Sequence, residues 1–284
     1  MIPAEFSYHR PSTLDEVISL LSEHGDDAKL LSGGHSLIPA MKMRLNQPGM
    51  LIDIGRLSEL NGIKKEGDEL VIGANSTHAS IAHSETIKEH LPIMAEAADL
   101  IGDVQVRNRG TIGGSLAHAD PSADWPAVMI ATNAKIVVKG SKGERSITAE
   151  DFFMGFYMTA LEETEIITHI KVPVAGKNTK TSYQKFMQPA SRFAIVGCAA
   201  VVTIKDGKCE DARIAFTGVS DAPFRDTGVE DAIRSKALNT ENIEAAATKA
   251  AAGQDIVSDH FASEEYRLHL AKVYVRKALS AVAE

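Results

Sequence analysis

The sequence predicts an α+β fold in three consecutive parts, and three observations carry that reading. Short apolar strands and a helix alternate at the start of the chain. Hairpin signals around glycine turns follow from about Gly55. The last third runs from strands into helices. Strands and helices that come in separate runs indicate α+β. The changes of texture place the parts at 1–54, 55–176 and 177–284.

Pro11-Ser12-Thr13-Leu14-Asp15-Glu16 opens the first helix. Ser12 is read as its cap, and the acidic residues of the first turn complement the helix dipole. Leu14, Val17, Ile18 and Leu21 repeat at helical spacing, and Gly25 ends the element. Ala28–Leu31 and Leu51–Ile54 read as short buried strands, with Leu37–Leu45 as a helix between them. Gly62–Lys65 and Leu70–Ala74 flank Glu66-Gly67-Asp68, a hairpin signal. Ser76–Ile87 and Pro92–Ile101 read as helical. Ala134–Lys139 and Arg145–Thr148 flank another glycine turn, and Ile166–Val172 is a strand ending at Pro173. The polar stretch 174–181 reads as a linker. Beyond it, Ala194–Lys205 and Cys209–Val219 are strands joined by Asp206-Gly207, a strong two-residue turn. Helices at Asn242–Ala252 and Ser263–Val282 close the chain.

With 284 residues the chain can bury a full core without disulfide or metal staples. Its 30 basic against 38 acidic residues give a net charge of −8, which argues against nucleic acid as a partner. Cys198 and Cys209 are too few to hold an iron–sulfur cluster through four thiolates. They suit a reducing compartment. No secretory signal and no apolar run of spanning length is legible, so the expected location is the cytoplasm with no membrane span. The ten histidines are scattered, no cluster has metal-ligand spacing, and no nucleophile-elbow motif occurs.

Two segments stand out: Ser32-Gly33-Gly34-His35-Ser36 and Thr111-Ile112-Gly113-Gly114-Ser115. Paired glycines allow positive φ and close approach to a ligand. Successive free amides make an anion nest, and flanking hydroxyls add donors. A helix starting at Leu37 would add its dipole. Either segment alone reads first as an ordinary tight turn, and the occurrence of two shifts the balance toward a ligand. Neither is GxGxxG or a P-loop. Downstream, Asp120-Pro121 marks a turn. Asp124 is suited to accept hydrogen bonds from sugar or ribityl hydroxyls, or else is a solvated loop residue.

Together with the Arg107-Asn108-Arg109-Gly110 lead-in and Ala119-Asp120-Pro121-Ser122-Ala123-Asp124, these segments resemble the FAD subunits of molybdenum hydroxylases. That family includes the carbon monoxide dehydrogenase medium subunit and the xanthine dehydrogenase FAD domain. Tyr8-His9-Arg10-Pro11, Leu45-Asn46-Gln47-Pro48, Ser263-Glu264-Glu265-Tyr266-Arg267 and Val275-Arg276-Lys277-Ala278-Leu279 extend the resemblance over essentially the whole chain. It implies a vanillyl-alcohol-oxidase-like (PCMH-type) FAD-binding domain in two subdomains, 1–54 and 55–176, with an antiparallel sheet and helices in 177–284.

It also implies an oxidoreductase role. The chain would take electrons from the [2Fe-2S] clusters of a small iron–sulfur subunit, fed by a large molybdopterin subunit, and pass them to an external acceptor. The assembly would be a dimer of heterotrimers. By resemblance, Leu30, Leu31, Ser32, Gly33, Gly34, His35, Ser36 and Leu37, with Thr111, Ile112, Gly113, Gly114 and Ser115, hold the diphosphate and adenosine part. Ile101 packs near the flavin ring, Asp124 binds hydroxyls, Leu161 lines the cofactor and Lys185 sits near the ring's polar edge. An ammonium there would stabilise the negative charge of the reduced flavin. A covalent link through His35 is the minor alternative, because this family holds flavin non-covalently. Arg107 and Arg109 are read either as phosphate or subunit contacts or as intrachain ion pairs, and Phe193 either as an aromatic near the ring, where the family can place one, or, by preference, as a core residue at a strand start. The competing functions are a free-standing FAD-dependent oxidoreductase of the same fold and a scaffold subunit without flavin.

Overall fold

The computed structural model describes residues 1–283 and has three main sheets that follow one another along the chain. The first is parallel: β1 (Ser7–His9), β2 (Ala28–Leu31) and β3 (Met50–Asp53), in the order β1-β3-β2. Parallel neighbours need crossover connections, which the helices Leu14–His24 and Leu37–Lys42 supply. The first helix buries Leu14, Val17, Ile18 and Leu21, the stripe its spacing predicts. Its cap is Thr13 rather than Ser12. The Thr13 hydroxyl accepts from the Glu16 amide, while the Ser12 amide and hydroxyl donate to the Glu16 carboxylate. Two adjacent hydroxyl residues divide the capping task, and spacing alone does not say which takes which part.

The second sheet is antiparallel. It holds β4 (Ile63–Glu66), β5 (Glu69–Gly73), β6 (Lys135–Gly140) and β7 (Gly143–Thr148). A small hairpin of β8 (Phe153–Gly155) and β9 (Met158–Thr159) precedes its last strand, β10 (Ile166–Pro173). The order is β4-β5-β10-β6-β7. Between β5 and β6 the chain leaves the sheet for a run of short helices. The stretch expected as one helix from Ser76 to Ile87 is two, His78–Ala82 and Glu85–His90, because Thr77 and Ser84 each cap a new start. Hydroxyl side chains compete with the helical ladder and favour such breaks.

The third sheet is an antiparallel meander of β11 (Thr179–Met187), β12 (Ala194–Lys205), β13 (Lys208–Thr217) and β14 (Phe224–Arg225). Asp206 and Gly207 both take positive φ, 52° and 73°, as a type I′ turn requires. The linker is shorter than expected. The Val174 and Ala175 amides donate to the Asp68 and His90 carbonyls, and β11 begins at Thr179. The apolar run of β12 has two partners. Ala199 faces the core of the second part, while Cys198, Ala200 and Val202 face the C-terminal helices, as period-two alternation dictates. Those helices are Thr227–Ile233, Thr240–Ala247 and Glu264–Ala283.

Several elements escape the sequence reading, β1, β11 and a central helix among them. Asp124–Ala131 is a helix buried at every position, packed against β12, β13 and the helix Pro92–Leu100. A helix covered on all sides has no polar face, so it shows no amphipathic period to detect. It joins the second and third parts. Met129 within it is fully buried. Met129→Ala should destabilise the protein by about 2–5 kcal/mol through the cavity it leaves, measured by urea unfolding.

Candidate functional site

All three parts contribute to one cavity of about 640 Å³. Its first wall is the turn between β2 and the helix that starts at Leu37. The amides of Gly33, Gly34, His35, Ser36 and Leu37 find no acceptor among the described residues, so consecutive N–H groups line the cavity without an internal partner. Such a run is an anion cradle. Gly34 takes φ 74°. Gly33 serves closeness instead: a Cβ there would overlap the Arg109 carbonyl and crowd Gly110 Cα. The Ser32 hydroxyl donates to Asn75 Oδ1 at 2.6 Å and lies 3.0 Å from Thr111 Oγ1, which locks the first segment onto the second.

The second segment is not a loop. Thr111 is the N-cap of a helix, Ile112–His118. Its first amides are already used: Ile112 donates to Ser76 O, Gly113 to Ala74 O, Gly114 to Thr111 Oγ1 and Ser115 to Thr111 O. It therefore offers no free nest. Gly113 allows the helix to press on β5, since a Cβ would stand 2.6 Å from Ala74 Cβ. Gly114, exposed, and the Ser115 hydroxyl remain at the cavity wall.

Leu30, Leu31, Ser32, Gly33, Gly34, His35, Ser36, Leu37, Ile101, Thr111, Gly113, Gly114, Ser115, Asp124 and Leu161 all line the cavity. Ile112 and Lys185 do not. Ile112 is fully buried in the core, because the helical turn points it away from the cavity. Lys185 corrects its expected place at a cofactor edge: its side chain is fully buried. Its ammonium donates to Asp124 Oδ2 at 2.9 Å and to Leu100 O at 3.1 Å. Asp124 is neither in a loop nor solvated; it opens the buried helix. Its Oδ1 accepts from Tyr183 Oη at 2.5 Å. Burial pushes its carboxyl above the usual carboxylate value, against the pull of Lys185 and Tyr183.

Phe193 is half exposed at the cavity mouth rather than in the core. Arg107 turns inward and donates to Ile101 O and Gly102 O, fixing the turn that carries Ile101. Among the wall residues that went unread are Asn75, His78 and Tyr157. Tyr157 donates to Asp120 Oδ2 at 2.9 Å and takes φ 55°, an unusual conformation for an aromatic residue. The polar run Asn75-Ser76-Thr77-His78 directly after an apolar strand was the available signal.

An amide cradle and a long cavity walled by a parallel sheet, an antiparallel sheet and a third part define a protein that holds a large anionic cofactor between subdomains. The sequence narrows this further. Residues 4–175 match the family described as FAD binding domain in molybdopterin dehydrogenase, and residues 181–282 match the CO dehydrogenase flavoprotein C-terminal domain. The chain belongs to this family. It is similar to the carbon monoxide dehydrogenase medium chain of Hydrogenophaga pseudoflava, 42% identical over 99% of this chain and 98% of that one. The glyceraldehyde dehydrogenase medium chain of Sulfolobus acidocaldarius is 39% identical over the full length of both. The structure of the H. pseudoflava carbon monoxide dehydrogenase lacking the Mo-pyranopterin moiety superposes with a TM-score of 0.96 at 43% identity, over 99% of this chain and 98% of that chain. The protein is thus a flavoprotein subunit of an oxidoreductase of the molybdenum hydroxylase type, with FAD as its own cofactor. The free amides and the side-chain-free approach at Gly33 fit that group.

Two outcomes follow from this geometry. Gly33→Ala should yield protein largely free of flavin, read as the ratio of absorbance at about 450 nm to that of the polypeptide, whereas Gly67→Ala, at an open turn, should retain it. Lys185→Met leaves a buried carboxylate unpaired and should destabilise by about 3–5 kcal/mol in urea, while adding Asp124→Asn should restore most of the loss.

Proposed function

We propose that this chain is the electron-relay subunit of its complex. It receives electrons from the [2Fe-2S] clusters of a small iron–sulfur subunit, which a large molybdopterin subunit supplies, and delivers them to an external acceptor. The assembly is a dimer of heterotrimers in the cytoplasm. Among the described residues no helix is long and apolar enough to cross a membrane, and no three His, Cys, Asp or Glu side chains gather as a metal site.

The observation that carries this reading is the run of free amides from Gly33 to Leu37 lining a cavity to which all three parts contribute. In this reading those amides hold the diphosphate, helped by the Ser115 hydroxyl. Leu30, Leu31, Ile101 and Leu161 exclude water from the apolar parts of the cofactor. Asp124 accepts from ribityl or ribose hydroxyls, held in place by Tyr183 and Lys185 from behind. Lys185 then acts on the flavin only through Asp124. FAD bound here supplies reversible acceptance and release of two electrons. The chain's own contribution is to bind, orient and shield it.

Substrate choice belongs to the partner in this reading. Medium chains of similar sequence serve complexes named for carbon monoxide and for glyceraldehyde. The visible spectrum of the native protein, followed by acid precipitation, tests the proposal. Flavin bands with FAD freed into the supernatant are expected, and in the co-purified complex these bands should bleach when substrate is added without acceptor. Colour retained in the pellet would mean a covalent flavin at His35. Bands that stay unbleached in a complex whose iron–sulfur centres are reduced would rule out the relay.

A further inference from the structure

Where the two glycine segments meet, the cavity wall contains a buried imidazole that the motif reading did not include. His78 follows the Thr77 cap, is 4% exposed and lines the cavity. The indole Nε1 of the fully buried Trp125 donates to His78 Nδ1 at 3.1 Å. An indole nitrogen has no acceptor lone pair. His78 Nδ1 must therefore be the bare nitrogen, and the ring's proton sits on Nε2. Protonating Nδ1 would set two N–H groups against each other. Burial, with the charges of His35 and Arg107 adding to it, pushes this imidazole down to about 4. The ring is neutral at neutral pH.

The one hydrogen bond of the His78 ring among the described residues is at Nδ1, so the Nε2–H has no protein acceptor. It lies beneath Gly110, where an added Cβ would come within 2.7 Å of Nε2. Gly110 in turn abuts Gly33, the first residue of the free-amide run. Gly110 thus touches both the imidazole and the first residue of that run, so the donor and the amides border the same part of the cavity. We propose that His78 is a further cofactor-binding residue: its Nε2–H, fixed in that tautomer by Trp125, donates to a diphosphate oxygen of FAD. This rests on the reading that the Gly33–Leu37 amides cradle the diphosphate. Trp125 is then a positioning residue, acting on the cofactor only through the imidazole. A neutral donor suits the place, because it adds a hydrogen bond without burying a second charge behind the cradle.

The test uses the full chain stripped of flavin and titrated with FAD and with riboflavin, which lacks phosphate, by flavin fluorescence. His78→Phe should weaken FAD by about ten- to hundred-fold, as for loss of a bond to a charged acceptor, and leave riboflavin unchanged. His78→Gln keeps a neutral donor and should fall within a few-fold of wild type. Trp125→Phe should weaken FAD less than His78→Phe does. In the unmutated protein, long-range 15N spectra of the imidazole should show Nε2 protonated and Nδ1 bare, with the Nε2 resonance moving when FAD is added. A folded His78→Phe protein that binds FAD as tightly as wild type would overturn the proposal. So would equal weakening of FAD and riboflavin, or an Nδ1-protonated ring. Wild-type protein that bound riboflavin as tightly as FAD would overturn the diphosphate cradle itself, and the His78 bond with it.

Discussion

A buried ammonium holds the cofactor wall together. Lys185 comes from β11, Asp124 opens the fully buried helix, and Leu100 ends the helix that precedes Ile101. One side chain thus ties together the third sheet, the central helix and the turn on the cavity rim. In water such a pair would contribute little. Here neither charge can be released singly, because either one left alone in the core would be strongly unfavourable. Tyr183, two residues before Lys185 on the same strand face, completes the carboxylate's shell. The result is an Asp124 with few accessible rotamers, presented at a cavity that must orient a long, flexible ligand. Rigidity behind the wall is what lets weak contacts in front of it select one pose.

Much of the fold was legible because it rests on local rules. The stripe Leu14, Val17, Ile18 and Leu21, the turn at Asp206-Gly207 and the strand that ends at Pro173 each follow from spacing or backbone chemistry alone. What the sequence hid had tertiary causes. The helix Asp124–Ala131 carries no period because it is surrounded. β11, rich in Thr, Lys and Gln, shows no apolar run, and pairing with β12 along its whole length makes it a strand. Phe193 looked like core because it precedes an apolar strand, yet it lies one residue outside the ladder, at the cavity mouth.

The glycine pairs show why a motif can point to the right place for only part of the right reason. Both segments do meet at one cavity. The first presents free amides. The second spends its amides on Ser76, Ala74 and its own Thr111, and Gly113 permits contact with Ala74 at the end of β5. A glycine marks close approach, and the approaching atom can belong to a ligand or to the protein's own backbone. Only an account of where each N–H goes separates the two. Nothing in Thr111–Ser115 as a string of letters reveals that Ala74 and Ser76 will accept those bonds, since that depends on β5 lying alongside.

Lys185 and His78 bear on the same electrostatic problem from opposite sides. A chain of net charge −8 has to hold an anionic dinucleotide. Two of the nearby cations are used elsewhere, Arg107 on the carbonyls of residues 101 and 102 and Lys185 on Asp124, while Lys29 and Arg192 line the cavity. In the proposed pose the diphosphate meets fixed dipoles, the amides of Gly33 to Leu37 together with a neutral imidazole. Fixed dipoles need no counter-ion before the ligand arrives and no reorganisation when it does.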